Sequence, residues 1–208
     1  MTQNNAVANN HDIHRDDVGS KMGMWLFLIT ELLLFGGLFL VYAVYRFTYT
    51  EQFALAAMEL NTTVGALNTV ILITSSLTVA LSIVALQKNN KFLSLIFLFL
   101  TQIFALEFII NKYFEWSAKI SHGIYPGSEE LLTRSDGEIL FFGLYYVMTG
   151  IHTLHVVIGM VLFFIIMVLI IKNKITSDNL ISLENSGLYW HLVDLIWIFL
   201  FPLFYLIH

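Results

Sequence analysis

Five apolar runs dominate this sequence, at about residues 22–45, 64–86, 92–114, 139–171 and 187–207, and each is nearly free of charge. A helix rises about 1.5 Å per residue and a bilayer's hydrocarbon core is about 30 Å thick, so about 20 apolar residues span it. Every run meets that length. Membrane β-strands would be about half as long and would alternate in polarity. The expected fold is therefore all-α: a polytopic membrane protein with a polar tail at 1–20 and one bundle of five transmembrane helices over 21–208. The fourth run is long enough to protrude, tilt or bend.

Composition agrees. Of 208 residues, 58% are hydrophobic and 12% charged, where a soluble domain is about half apolar and about a quarter charged. Mean hydropathy is +0.77. The net charge of -5 is spread along the chain, so no basic footprint for a nucleic acid exists. The absence of cysteine excludes disulfides, Cys-ligated metal and iron–sulfur clusters. The first run begins near Met22 and exceeds the roughly 7–15 residues of a signal-peptide core, so no cleaved leader is expected.

Five crossings put the two termini on opposite sides. Arg15, Lys21, Lys88, Lys91, Lys172 and Lys174 gather on the N-terminal side, against Arg46, Lys112, Lys119 and Arg134 on the other. That bias predicts a cytoplasmic N-terminus and a periplasmic C-terminus. The largest extramembrane piece, residues 117–138, would then lie outside.

Polar groups inside the runs are the candidates for function, because ionisable side chains at such depth are costly and face protein or a polar cavity. Glu31 lies about nine residues into the first run, on the order of 14 Å deep, with no cation on its own helix. It is the candidate for proton handling or lipid contact. In the last run, His191 and Asp194 are three apart and project from nearly the same side, beside Trp190 and Trp197. In the fourth, Tyr145, Met148, His152, His155 and Gly159 share one face. Asn68, Ser75 and Ser82 in the second run, spaced by seven, read as a close-packing stripe. Glu107, Asn111, Lys112 and Glu115 read as a satisfied network toward the outer end of the third.

Two metal sites deserve weighing, one at His11, Asp12 and His14 in the tail and one at His152, His155 and His191. The tail residues read as solvated. His191 lies nearer the inner end of its run than the other two histidines do of theirs, so no metal or haem is expected in this chain.

Taken in order, Met24–Glu31 with Leu34 and Phe35, Leu67–Thr69 with Ser75 and Ser76, Lys112–Trp116, Gly150–Gly159 and Tyr189–Trp197 resemble subunit III of the haem–copper cytochrome c oxidases. The likeness covers nearly everything after Gly19. It implies the short, five-helix bacterial form, lacking the first helix pair that helps enclose a lipid-filled cleft in the seven-helix form. It implies an accessory subunit of the bacterial cytoplasmic membrane, itself without haem or copper. Redox chemistry and pumping would belong to subunit I, with electrons entering through subunit II. This chain would stabilise subunit I, bind phospholipid and sustain proton uptake, in an aa3 or caa3-type oxidase that could also hold small subunits or join a supercomplex. Glu31 falls where the family has a carbodiimide-reactive carboxyl. His152, His155, His191 and Asp194 fall on its motif positions and are expected to form an internal hydrogen-bonded network. Alternatives within the superfamily are subunit III of a quinol oxidase or a nitric-oxide-reductase-associated homologue. Outside it, a histidine-ligated cytochrome would show a haem spectrum, and a transporter would show inverted repeats or broken helices, which this sequence lacks.

Overall fold

The computed structural model describes residues 17–207. The candidate ligands His11, Asp12 and His14 lie outside the described residues. Seven helices follow in order: α1 (Asp17–Thr48), α2 (Thr50–Ala57), α3 (Thr62–Gln87), α4 (Lys91–Ser121), α5 (Glu129–Leu132), α6 (Asp136–Ile171) and α7 (Ile181–Tyr205). Among the described residues there is no strand. Five helices, α1, α3, α4, α6 and α7, are long and apolar enough to cross a membrane.

The helices outrun the apolar runs. α4 continues to Ser121 rather than stopping near residue 114, because 115–121 contains neither Pro nor Gly. α7 starts at Ile181, six residues before the apolar run, on Leu-Glu-Asn-Ser. Hydropathy marks where lipid would begin and backbone propensity marks where a helix ends, and the two differ here by one or two turns. Side-chain caps set three of the starts: Asn61 accepts from Thr63 and Val64 N–H, Asn90 from Leu93, and Ser128 from Leu131.

Contacts at the two ends show the up-and-down order. At one end Lys21 pairs with Glu184 (3.2 Å), Asn185 donates to Ser20 Oγ (3.1 Å), and Ser177 reaches Asn89. At the other, Lys119 Nζ donates to the Glu59 carbonyl (3.0 Å), Gly137 N–H to Gln52 Oε1 (2.7 Å), and Thr62 to the Tyr205 carbonyl. Arg134 there pairs with Glu59 and Glu138. The hydrogen bond to Glu59 raises the guanidinium further above its ordinary range.

α7 is central, packing on α6, α3 and α1, while α3 and α4 form a tight pair. Close approach of α6 and α7 depends on one glycine. A Cβ on Gly159 would lie 2.5 Å from Cε3 and Cζ3 of Trp190. That indole is fully buried and cannot swing aside, since its Nε1 donates to Ser75 Oγ (3.0 Å). Gly159→Ala is therefore expected to cost about 1–3 kcal/mol by overpacking. Gly143→Ala, on the same helix with open space around it, should leave stability unchanged. Thermal denaturation of the two purified variants checks this, and equal melting would refute it.

Candidate functional site

Two polar constellations stand out, one at the edge of the bundle and one inside it. The edge site joins α1 to α6. Glu31 Oε2 lies 2.9 Å from His155 Nε2, with side chains 15% and 12% exposed. His155 Nδ1 lies 2.7 Å from the Ile151 carbonyl. A carbonyl only accepts, so Nδ1 carries a hydrogen. One further proton is then shared across Oε2 and Nε2. On oxygen it makes a carboxylic acid donating to neutral imidazole; on nitrogen it makes a carboxylate–imidazolium pair. Either arrangement is neutral overall. The Phe35 ring meets the imidazole edge-on (centroids 5.5 Å), and Tyr189 donates to the His155 carbonyl (3.0 Å). Beside the pair, α1 and α7 bound an apolar cleft of about 230 Å³ lined by Leu32, Phe35, Gly36, Phe39, Leu192 and Leu195.

The remaining sequence candidates go elsewhere. His191 Nδ1 bonds Ser76 Oγ of α3 (2.5 Å). Asp194 is buried and meets the same Ser76, but neither carboxyl oxygen makes a hydrogen bond of full geometry. His152 is buried without a hydrogen bond. Its ring packs on Trp197 (5.2 Å) and against the edge of Phe108 (5.5 Å). No hydrogen bond joins any two of His152, His155, His191 and Asp194, so the single network expected from the sequence is replaced by separate contacts. Residues three apart on a helix diverge by about 60°. That angle turns His155 toward α1 and His152 toward α4 and α7. Among the described residues, no group of three His, Cys, Asp or Glu side chains is placed to hold a metal ion.

The inner constellation is built on Lys112 of α4, which is 1% exposed. Its ammonium donates to Glu115 Oε2 (3.1 Å), Tyr145 OH (3.0 Å) and Tyr205 OH (3.0 Å), using all three hydrogens. Tyr145 and Tyr205 in turn donate to Glu115 Oε1 (2.5 and 2.6 Å). The Trp197 ring faces the ammonium at 5.4 Å. Three helices are thereby tied by one closed ring of donors and acceptors. The sequence points to Lys112 and Glu115 as a network near the outer surface; the structure encloses them. Tyr205 carried no signal, since its partner lies 90 residues away. Next to the cluster a recess of about 580 Å³ opens at the α2 end, lined by Glu59, Asn61, Asn111, Glu115, Lys119 and His122.

Removing one member strands the others. Lys112→Met should cost about 3–5 kcal/mol, whereas Lys112→Met with Glu115→Leu should recover much of that loss. Denaturation of the single and double variants measures the coupling, and strictly additive losses would show that the pair does not act as a unit.

A family model described as cytochrome c oxidase subunit III matches residues 1–208. The chain is 30% identical to cytochrome c oxidase subunit 3 of Thermostichus vulcanus over 99% of this chain and 96% of that one. It is 28% identical to the heme-copper oxidase subunit I+III of Aeropyrum pernix over 90% of its own length but only 22% of that longer protein. It is 27% identical to cytochrome bo(3) ubiquinol oxidase subunit 3 of Buchnera aphidicola, over 88% of this chain and 92% of that one. The chain belongs to the cytochrome c oxidase subunit III family, and so to the membrane-embedded haem–copper oxidase complexes.

Proposed function

We propose that the chain is the non-catalytic subunit III of a bacterial cytochrome c oxidase of the aa3 or caa3 type, held in the cytoplasmic membrane against subunit I. The observation that carries this reading is the end-to-end match to a cytochrome c oxidase subunit 3 of nearly the same length. The Aeropyrum pernix protein, whose name joins subunits I and III, supports subunit I as the main contact. Haem and copper belong, on this reading, to subunits I and II. The Glu31–His155 pair is the proton-holding element, and the apolar cleft beside it suits a phospholipid acyl chain. The quinol branch is the second reading, favoured by the Buchnera aphidicola match.

The N-terminus is taken as cytoplasmic. Lys112 leaves the count of exposed charges, being buried, and Lys119 is folded onto the Glu59 carbonyl. The N-terminal end keeps Lys21, Lys88, Lys91, Lys172 and Lys174. The bias toward that end is thus stronger than the bare sequence count.

Affinity purification from native membranes should recover subunit I together with a subunit II bearing a cysteine-rich copper site. A subunit II without that site would transfer the chain to the quinol branch. The chain purified alone should show no haem band in a reduced-minus-oxidised spectrum. Within the complex, Glu31→Gln should abolish carbodiimide labelling of this subunit; persistent labelling would mean that another carboxyl reacts.

A further inference from the structure

Glu107 is the group that the fold leaves unexplained. It lies on the outer face of α4, exposed, and makes no hydrogen bond or ion pair among the described residues. Its neighbours along that face are Ile96, Ile103, Ile110 and Phe114, all exposed, with Leu100 half-buried. The positions 96, 100, 103, 107, 110 and 114 alternate steps of four and three, the spacing of a seam that packs against another helix. The opposite face, with Leu98, Thr101, Ala105 and Phe108, is already used against the rest of the bundle. Glu107 thus occupies a seam position on a face this chain does not cover.

Hydrocarbon cannot solvate a carboxylate there. Tyr113 and Phe114, the aromatic pair nearer the surface, lie six and seven residues further on, about 9–10 Å along the axis. Side chains on a helix tilt toward its N-terminus, which for Glu107 is away from that surface. A short glutamate is therefore directed away from the recess that opens about one to two turns further out, at Asn111 and Phe114. A lipid headgroup meets the same barrier from the other direction. A second copy of this chain, packed symmetrically on the seam, would bring carboxylate toward carboxylate.

We propose that the outer face of α4 docks a transmembrane helix of another subunit, and that this helix carries an arginine or lysine opposite Glu107. The proposal rests on the reading that the chain works inside an oxidase assembly, and it adds which face is used and what chemistry the partner helix must bring. Cation and carboxylate would neutralise each other out of water, while Ile103, Ile110 and Phe114 pack beside them.

A photoreactive amino acid at Ile103, in native membranes, tests it. The expected product is a cross-link to a membrane-spanning peptide of another subunit that contains Arg or Lys, identified by mass spectrometry. Glu107→Leu should reduce that product by about tenfold or more, as breaking a buried charge pair would. Leucine suits an apolar membrane-facing position, so the loss would not reflect failure to fold, and wild-type content of the chain in membranes checks this. Products confined to lipid, a cross-link to a second copy, or undiminished yield from Glu107→Leu would each overturn the proposal. The readout does not depend on which oxidase is present: a chain that purifies without subunit I would sink the functional reading, whereas one that purifies with it but cross-links only to lipid would sink this one.

Discussion

Hydrocarbon offers no hydrogen bonds, and most of this structure follows from that. Most polar side chains within the spans find a partner in protein, because an unpaired buried polar group costs more than most packing contacts return; His152 and Asp194 are among the exceptions. The hydroxyls on the spans largely meet this need by bonding back to their own helix. Thr30 donates to the Phe27 carbonyl, Thr74 to Val70 and Thr149 to Tyr145. The longer side chains cannot do so and have to reach between helices. Their pairings therefore decide which helices are neighbours.

Lys112 shows how far this goes. An ammonium enclosed by α4, α6 and α7 is tolerable because every hydrogen is used, the carboxylate is adjacent, and three aromatic rings face it. Such a cluster is demanding in geometry. It fixes the rotation of three helices about their axes more sharply than apolar packing would, since leucine for leucine a bundle can rotate and repack. Trp190 and Trp197 add two more fixed points, donating to Ser75 and Thr69 of α3. Ser75, at the centre of the α3 stripe that reads as packing in the sequence, thus also accepts an indole N–H, and Thr69, beside the stripe, accepts the other.

The number and order of the spans were legible because 20-residue apolar runs have few alternatives. Glu31 was legible as a lone acid in such a run. Its partner was not: His155 lies 124 positions away, and periodicity within one helix says nothing about rotation relative to another. The same gap explains why His191, which shares a side of α7 with Asp194, bonds Ser76 of α3 rather than its neighbour, and why Tyr205 escaped notice. Sequence spacing reads faces within a helix; pairing between helices belongs to the packed bundle.

Glu31 and His155 gain significance from the helix that carries the acid. α1 is the most weakly held span, with Leu26, Leu32, Leu33, Leu40 and Phe47 all turned outward. Its polar ties are few: Lys21 to Glu184 and Ser20 to Asn185 near one end, the Tyr42 hydroxyl donating to the Leu203 carbonyl near the other, and Glu31 to His155 between them. The middle tie is made by two side chains within the spans, 15% and 12% exposed, so the rotation of α1 against α6 at that level rests on one directional hydrogen bond as well as on apolar packing.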